Sequence, residues 1–187
     1  MAARIIALIL AAGLSTRFGG DKLIHPYRGK PLAAHIADVI AGTRVDGKLA
    51  VCPTTNLARQ EIFRARGFDI IGNDNPSVGL SSSLVLGARR AIELDADVLV
   101  VCLADMPHIT AGHIAQLVAS LNEDAAIVAS HASGTRSPPV AFARRAIDEL
   151  QSLEGDSGAR ALLAGAKVID MSFDLAADFD TRADFAG

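Results

Sequence analysis

Along this chain, apolar runs of strand length alternate with segments whose apolar residues recur at helical spacing. That is the rhythm of βαβ units. Ile5–Leu10 is apolar at every position, as a strand buried on both faces must be. It opens into Ala11–Lys22, a loop rich in glycine and small residues. Pro31 starts a helical pattern that runs to about Ala41 and stops at Gly42. Strands are predicted at Lys48–Cys52 and Asp69–Ile71, with a helix between them capped by Thr55 and ending near Gly67. A loop over Gly72–Gly79 leads into a helix at Leu80–Leu94. Val98–Leu103 is the strongest central strand. Thr110 caps a helix ending near Asn122, and Ala125–Ala129 is a further strand. Ser130–Pro139 is rich in Ser, Gly and Pro and reads as a surface loop. After it come a strand at Val140–Phe142, helices at Arg144–Leu153 and Ser157–Leu163, and a last strand at Val168–Met171. The acidic tail from Asp174 ends in a short helix. No repeat or linker interrupts this order. The expected architecture is one α/β domain over residues 1–187: a Rossmann-like, three-layer fold with a mostly parallel sheet.

Composition narrows the core and the partners. Of the 187 residues 50% are hydrophobic but only 4% aromatic, so the core is built from Ala, Val, Ile and Leu. A domain of this size buries roughly 70% of its unfolded surface and needs no disulfide or structural metal. Cys52 and Cys102 lie in apolar runs and read as free buried thiols. The net charge of −3 leaves no basic excess, which speaks against a nucleic-acid partner, although a local basic cluster can still hold a small anion. The first apolar run is too short to span a membrane and no signal cleavage pattern follows it. A soluble, cytoplasmic protein is expected.

The loop after the first strand is the first candidate for chemistry. In α/β sheets, ligands bind beyond the carboxyl ends of the strands. Ala11, Ala12 and Gly13 are small enough to let a ligand approach the backbone. Gly19 and Gly20 can take positive φ, and consecutive N–H groups in such a turn form an anion nest. Arg17 and Lys22 add two positive charges, each worth roughly 4 kcal/mol beside a phosphate at an effective dielectric of about 20, before desolvation. The competing reading is a βα connection with glycines for turn geometry alone, but such turns usually need only about 2–6 residues. Neither a G-x-G pair nor Gly-Lys followed by Ser or Thr occurs, so the dinucleotide and Walker A motifs are both absent. At the end of the central strand, Asp105 of Ala104-Asp105-Met106-Pro107 either caps the next element or faces the same crevice. There it would suit Mg²⁺, which takes one or two carboxylates plus phosphate oxygens.

The run from Leu10 to Lys22, continued by Gly29-Lys30-Pro31-Leu32, resembles the signature of the molybdenum-cofactor nucleotidyltransferases, and the resemblance extends over nearly the whole chain. It implies nucleotide binding by Leu10, Ala11, Ala12, Gly13, Gly19, Gly20 and Lys22, and catalytic roles for Arg17, Lys22 and Asp105. It also implies Mg²⁺ on Asp105 and on Asp180 of Asp178-Phe179-Asp180-Thr181. Read from the residues alone, a capping or solvated acid is the alternative for Asp180, and Thr181 is a helix cap. The segment from Asn73 through Gly79 to Ser81, Ser82 and Ser83 places hydroxyls at a positive helix end. It resembles the cytidylyl branch of the family. Ala12 stands where the guanylyl branch usually has a second glycine, which also favours CTP over GTP. Arg136 and Pro139 match a segment near the acceptor site, although a solvated loop Arg fits the residues as well. Arg160 falls in a matching Gly-Asp-x-Gly-Ala-Arg run. Phe18 replaces the usual Met, and His25-Pro26-Tyr27 departs from the family pattern.

The activity implied is Mg²⁺-dependent cytidylyl transfer from CTP to molybdopterin, with a client molybdenum hydroxylase receiving the product. Alternatives are guanylyl transfer or another phosphorylated acceptor, a nucleotide-binding cofactor chaperone or insertion factor, and an NAD-binding redox domain. The missing dinucleotide motif disfavours the last.

Overall fold

The computed structural model describes residues 3–153 and 161–185. Among the described residues, nine strands form a seven-stranded sheet and a small separate hairpin. Ile5–Leu10 is β1, and its boundaries are those expected from the apolar run. It lies near the middle, paired in parallel with β4 (Gly47–Pro53) and β6 (Val98–Leu103). β5 (Asp69–Asn73) continues the sheet beyond β4. On the other side come β8 (Thr135–Ala143), β7 (Ile127–Ala132) and β9 (Lys167–Asp170). Among the described strands only β8 runs against the rest, so the sheet is mostly parallel.

Because successive strand residues point to opposite faces, β1 feeds two cores. Ala7 and Ile9 pack with Leu32, Ile36 and Ile40 of α1 (Leu32–Ala41), Phe63 of α2 (Leu57–Arg64) and Ile114 and Leu117 of α4 (Ala111–Ala119). Ile6, Leu8 and Leu10 pack with Leu84, Ala88 and Ala91 of α3 (Leu80–Glu93) and with Ile147 and Leu150 of α5 (Arg144–Leu150). The result is the expected three-layer sandwich. No helix among the described residues is long and apolar enough to cross a membrane.

Three local readings change. The cap of α2 is Asn56, whose side chain accepts from the Arg59 amide; Thr55 lies one residue too early. β2 (Pro26–Tyr27) and β3 (Lys30–Pro31) make a tiny hairpin that the polar run concealed. The largest change is at residues 130–139. This stretch is no surface loop but most of a β-hairpin, closed by a two-residue turn in which Ser133 and Gly134 take φ of +50° and +79°. A bulge between Ala129 and Ser130 leaves Pro138 and Pro139 outside the ladder, where their missing N–H groups cost nothing. Ser130 is fully buried, and its hydroxyl donates to the Pro139 carbonyl at 2.7 Å. The predicted helix at Ser157–Leu163 begins outside the described residues; a helical turn spans 161–164.

Candidate active site

The parallel strands deliver their carboxyl ends to one edge, and the candidate residues gather there. Beyond Leu10 the chain stays pinned to the sheet, because the Ala11 amide donates to the Val51 carbonyl at 2.8 Å. The Ala104 amide donates to the Leu10 carbonyl at 3.1 Å, which seats Asp105 beside the start of the loop. The loop then turns on itself through a Phe18 amide bond to the Ser15 carbonyl, with Gly19 at φ +72°. Gly20 keeps an ordinary φ, so one glycine rather than two supplies the left-handed step.

Lys22 is buried, and its ammonium bridges two carboxylates. Nζ lies 2.7 Å from Asp105 Oδ2 and 2.6 Å from Asp180 Oδ1. Arg17 Nη1 meets the other oxygen of Asp180 at 2.7 Å from a largely exposed position. Burial by itself would lower the Lys22 pKa, but the Asp105 and Asp180 carboxylates outweigh it and hold the ammonium above its ordinary value. The neighbouring Asp178 carboxyl is pushed up by burial and then by the charges of Asp180 and Asp105. Asp105 Oδ1 is buried and has no hydrogen-bond partner among the described residues. An oxygen in that position costs about 1–3 kcal/mol or more when left unmet. A hard cation would meet it.

Asp180 arrives from the far end of the chain. It follows Phe179, whose buried ring packs on Tyr27, His108 and Phe185. Phe185 in turn reaches Phe18 and His25, so the tail docks on the loop itself. Thr181 is not the cap acceptor. Asp184 is, taking the amides of Asp180 at 2.9 Å and Thr181 at 2.6 Å.

At the end of β5, Asn73 is buried and donates through Nδ2 to Ser82 Oγ at 3.0 Å and Ser83 Oγ at 2.9 Å. The Ser82 hydroxyl donates back to the Gly79 carbonyl at 2.8 Å. These contacts order the segment around the amino end of α3, with Gly79 at φ +113° as its cap residue. Ser81 and Ser83 are buried. Arg136 is the charged member, among the described residues, of the lining of a cavity of about 220 Å³, whose other walls include Leu10, Leu84, Val101, Pro138 and Val140. Pro139 takes the Ser130 hydrogen bond through its carbonyl. Arg160 lies outside the described residues.

Thus Arg17, Lys22, Asp105 and Asp180 share one contact network, and Leu10 to Gly13 adjoin it. Arg136 and Pro139 belong to the neighbouring hairpin. Sequence reasoning missed Asp21, Asn56 and Arg59. Arg59 is buried beneath the loop, 2.7 Å from Asp21 Oδ2, and bonds the carbonyls of Ala11 at 2.9 Å and Gly13 at 2.7 Å. Burial would raise the Asp21 pKa, but the hydrogen bond and charge of Arg59, with help from Asn56, keep it below the usual value. A signal was available: Arg59 and Phe63 stand four apart, on one face of a helix.

Residues 7–171 match the MobA-like NTP transferase domain family. The purine catabolism protein PucB of Bacillus subtilis is 31% identical over 167 residues, covering 85% of this chain and 80% of PucB. A probable molybdenum cofactor guanylyltransferase of Thermococcus sibiricus is 29% identical, covering 66% of this chain and 60% of that protein. The crystal structure of Rv0371c from Mycobacterium tuberculosis superimposes with a TM-score of 0.83 at 24% identity, covering 100% of this chain and 97% of that one. The same protein has been solved in complex with manganese, and that structure matches with a TM-score of 0.72 at 22% identity, covering 90% and 88%. The chain therefore belongs to the MobA-like NTP transferase domain family and is a nucleotidyltransferase.

Proposed function

We propose that this nucleotidyltransferase uses CTP and Mg²⁺ to cytidylylate the phosphate of a molybdopterin-type acceptor, handing the product to a molybdenum hydroxylase. The observation that carries the reaction class is the Lys22 bridge between Asp105 and Asp180, with Asp105 Oδ1 left unmet. In the reaction, an acceptor phosphate oxygen forms a bond to the α-phosphorus. The bond from that phosphorus to the β-phosphate oxygen breaks, and its electron pair leaves with pyrophosphate. Asp105 and Asp180 would hold the Mg²⁺, which offsets phosphate charge when bound. The manganese bound by Rv0371c is a property of that relative and accords with a divalent ion here. The protein's own part is positioning and electrostatics. Lys22 and Arg17 neutralise the triphosphate, and the loop amides bind its oxygens. Arg136 sits beside a cavity at the same sheet edge and is the cation offered to the acceptor phosphate.

Ala12 and the Asn73–Ser83 network support CTP. Ala12 is 3% exposed, packed in the α3-side core. It stands where the guanylyl branch carries glycine. GTP is the second reading, favoured by the similarity to the probable molybdenum cofactor guanylyltransferase of Thermococcus sibiricus. Calorimetric titration with CTP, GTP and ATP, each with and without Mg²⁺, tests both. CTP should bind best and more tightly with the metal. GTP in first place would reverse the base assignment and keep the reaction class. Failure of every triphosphate to bind, with molybdopterin present, would sink the proposal.

A further inference from the structure

We infer that Arg59 is a positioning residue that sets the direction of the peptide groups in the 11–22 loop, so that the anion site is built before any nucleotide arrives. This rests on the reading of that loop as the triphosphate site. Arg59 is 3% exposed and cannot touch a ligand in the crevice. A guanidinium buried that far needs partners on all sides, and here the partners are the loop. Nε donates to Asp21 Oδ2 at 2.7 Å. Nη1 donates to the Ala11 and Gly13 carbonyls at 2.9 and 2.7 Å, and Nη2 reaches Ser15 Oγ at 3.4 Å. Asn56 completes the clamp: Oδ1 accepts from the Arg59 amide at 3.1 Å, and Nδ2 donates to Asp21 Oδ2 at 2.7 Å. Asp21 Oδ1 accepts from the Leu23 amide at 3.0 Å, across Lys22. One cation therefore grips both ends of the loop and the residue before the bridging lysine.

Peptide geometry turns that grip into a binding site. A trans peptide directs its C=O and N–H to opposite sides. The Ala11 carbonyl is drawn down onto Arg59, so the Ala12 amide, in the same plane, points away from it. The Gly13 carbonyl is drawn down likewise, and the Leu14 amide points away. Among the described residues neither amide has an acceptor. Ala12 and Gly13 have no bulk to cover them. Two free N–H groups turned outward over small side chains are the makings of a phosphate nest, and without Arg59 nothing prevents these peptides from presenting carbonyl oxygens to the phosphates.

The test uses the full chain with Mg²⁺, at a temperature well below each variant's own melting point. Wild type, Arg59→Met and Arg59→Lys are titrated with CTP, with inorganic tripolyphosphate and with cytidine. Arg59→Met should weaken CTP and tripolyphosphate by about 10- to 100-fold, the scale of one or two charge-assisted hydrogen bonds. Cytidine should change by less than twofold, and Arg59→Lys should recover part of the loss. If Arg59→Met does not fold, Asp21→Asn serves: it keeps one acceptor oxygen, turns an NH2 toward the second set of donors and discharges the clamp, and should weaken both polyphosphates several-fold. Unchanged tripolyphosphate binding, or an equal loss for cytidine, overturns the role of Arg59 while leaving the functional reading intact. A wild-type protein that binds neither CTP, GTP nor tripolyphosphate removes that reading and this inference together.

Discussion

The Phe179 amide donates to the main-chain carbonyl of Asp105 at 3.1 Å. That bond joins the tail to the turn after β6 and places Asp180, the next residue, on Lys22. The two carboxylates of the site thus depend on one another's backbone. The contact is reinforced by Phe179, Tyr27, Phe18 and Phe185, which gather half of the chain's seven Phe and one Tyr at this spot.

Removing the ring should release the tail. Phe179→Ala is expected to cost about 3–5 kcal/mol where the cavity cannot collapse, and to lower kcat at least tenfold as Asp180 loses its place. Thermal unfolding and kcat measured on the same preparation check this. An unchanged kcat at full occupancy of the fold would separate the tail from catalysis.

Asp105→Asn keeps the shape of the side chain and removes its charge. Turnover should fall by roughly 10²–10³-fold, the scale of losing one key electrostatic group. Steady-state kinetics at saturating Mg²⁺ decide it, and wild-type turnover would take Asp105 out of the mechanism.

Lys22→Ala should weaken triphosphate binding by more than nucleoside binding, because the ammonium meets charge that only the phosphates carry. Equal losses for CTP and cytidine would count against that role.

Base choice can be probed at Ala12. Ala12→Gly should raise the GTP to CTP ratio of kcat/KM by about tenfold, the low end of what one methyl group decides in a pocket. No change in the ratio would leave base selection to other residues.

The buried His113 gives stability a pH dependence. Ser130 Oγ spends its proton on the Pro139 carbonyl, so His113 Nε2, 2.7 Å from that oxygen, is the donor. Burial holds the His113 pKa below its ordinary 6.5. The unfolded chain therefore takes up a proton at a higher pH than the folded one. Stability is full above 6.5 and lost as pH falls from there toward the folded value. The melting temperature should drop between about pH 7.5 and 5.5, and His113→Gln should flatten that slope. The burial-lowered His35 contributes in the same sense, so some slope should remain.

Much was legible in the residues because burial leaves a local trace. Ile5–Leu10 and Val98–Leu103 are apolar throughout since both their faces are covered, and their ends match the strands observed. Lys22 and Asp105 stood out because each follows such a strand at the sheet edge where ligands bind. Ser130–Pro139 misled because Ser, Gly and Pro usually mark exposed loops, whereas here His113 and the Pro139 carbonyl satisfy the buried Ser130 and a bulge accommodates the prolines.

Sequence periodicity by itself determined the layers, the order of most elements and the loop that carries the charges, because it records which side of each segment is apolar. The tertiary structure alone decided what meets what. Asp180 lies 158 residues from Lys22, and Arg59 lies 38 from Asp21 and 48 from Ala11. No local pattern encodes such pairings. They follow from the path the chain takes when its apolar faces close on a common sheet, and from the need of each buried charge to find its partner there.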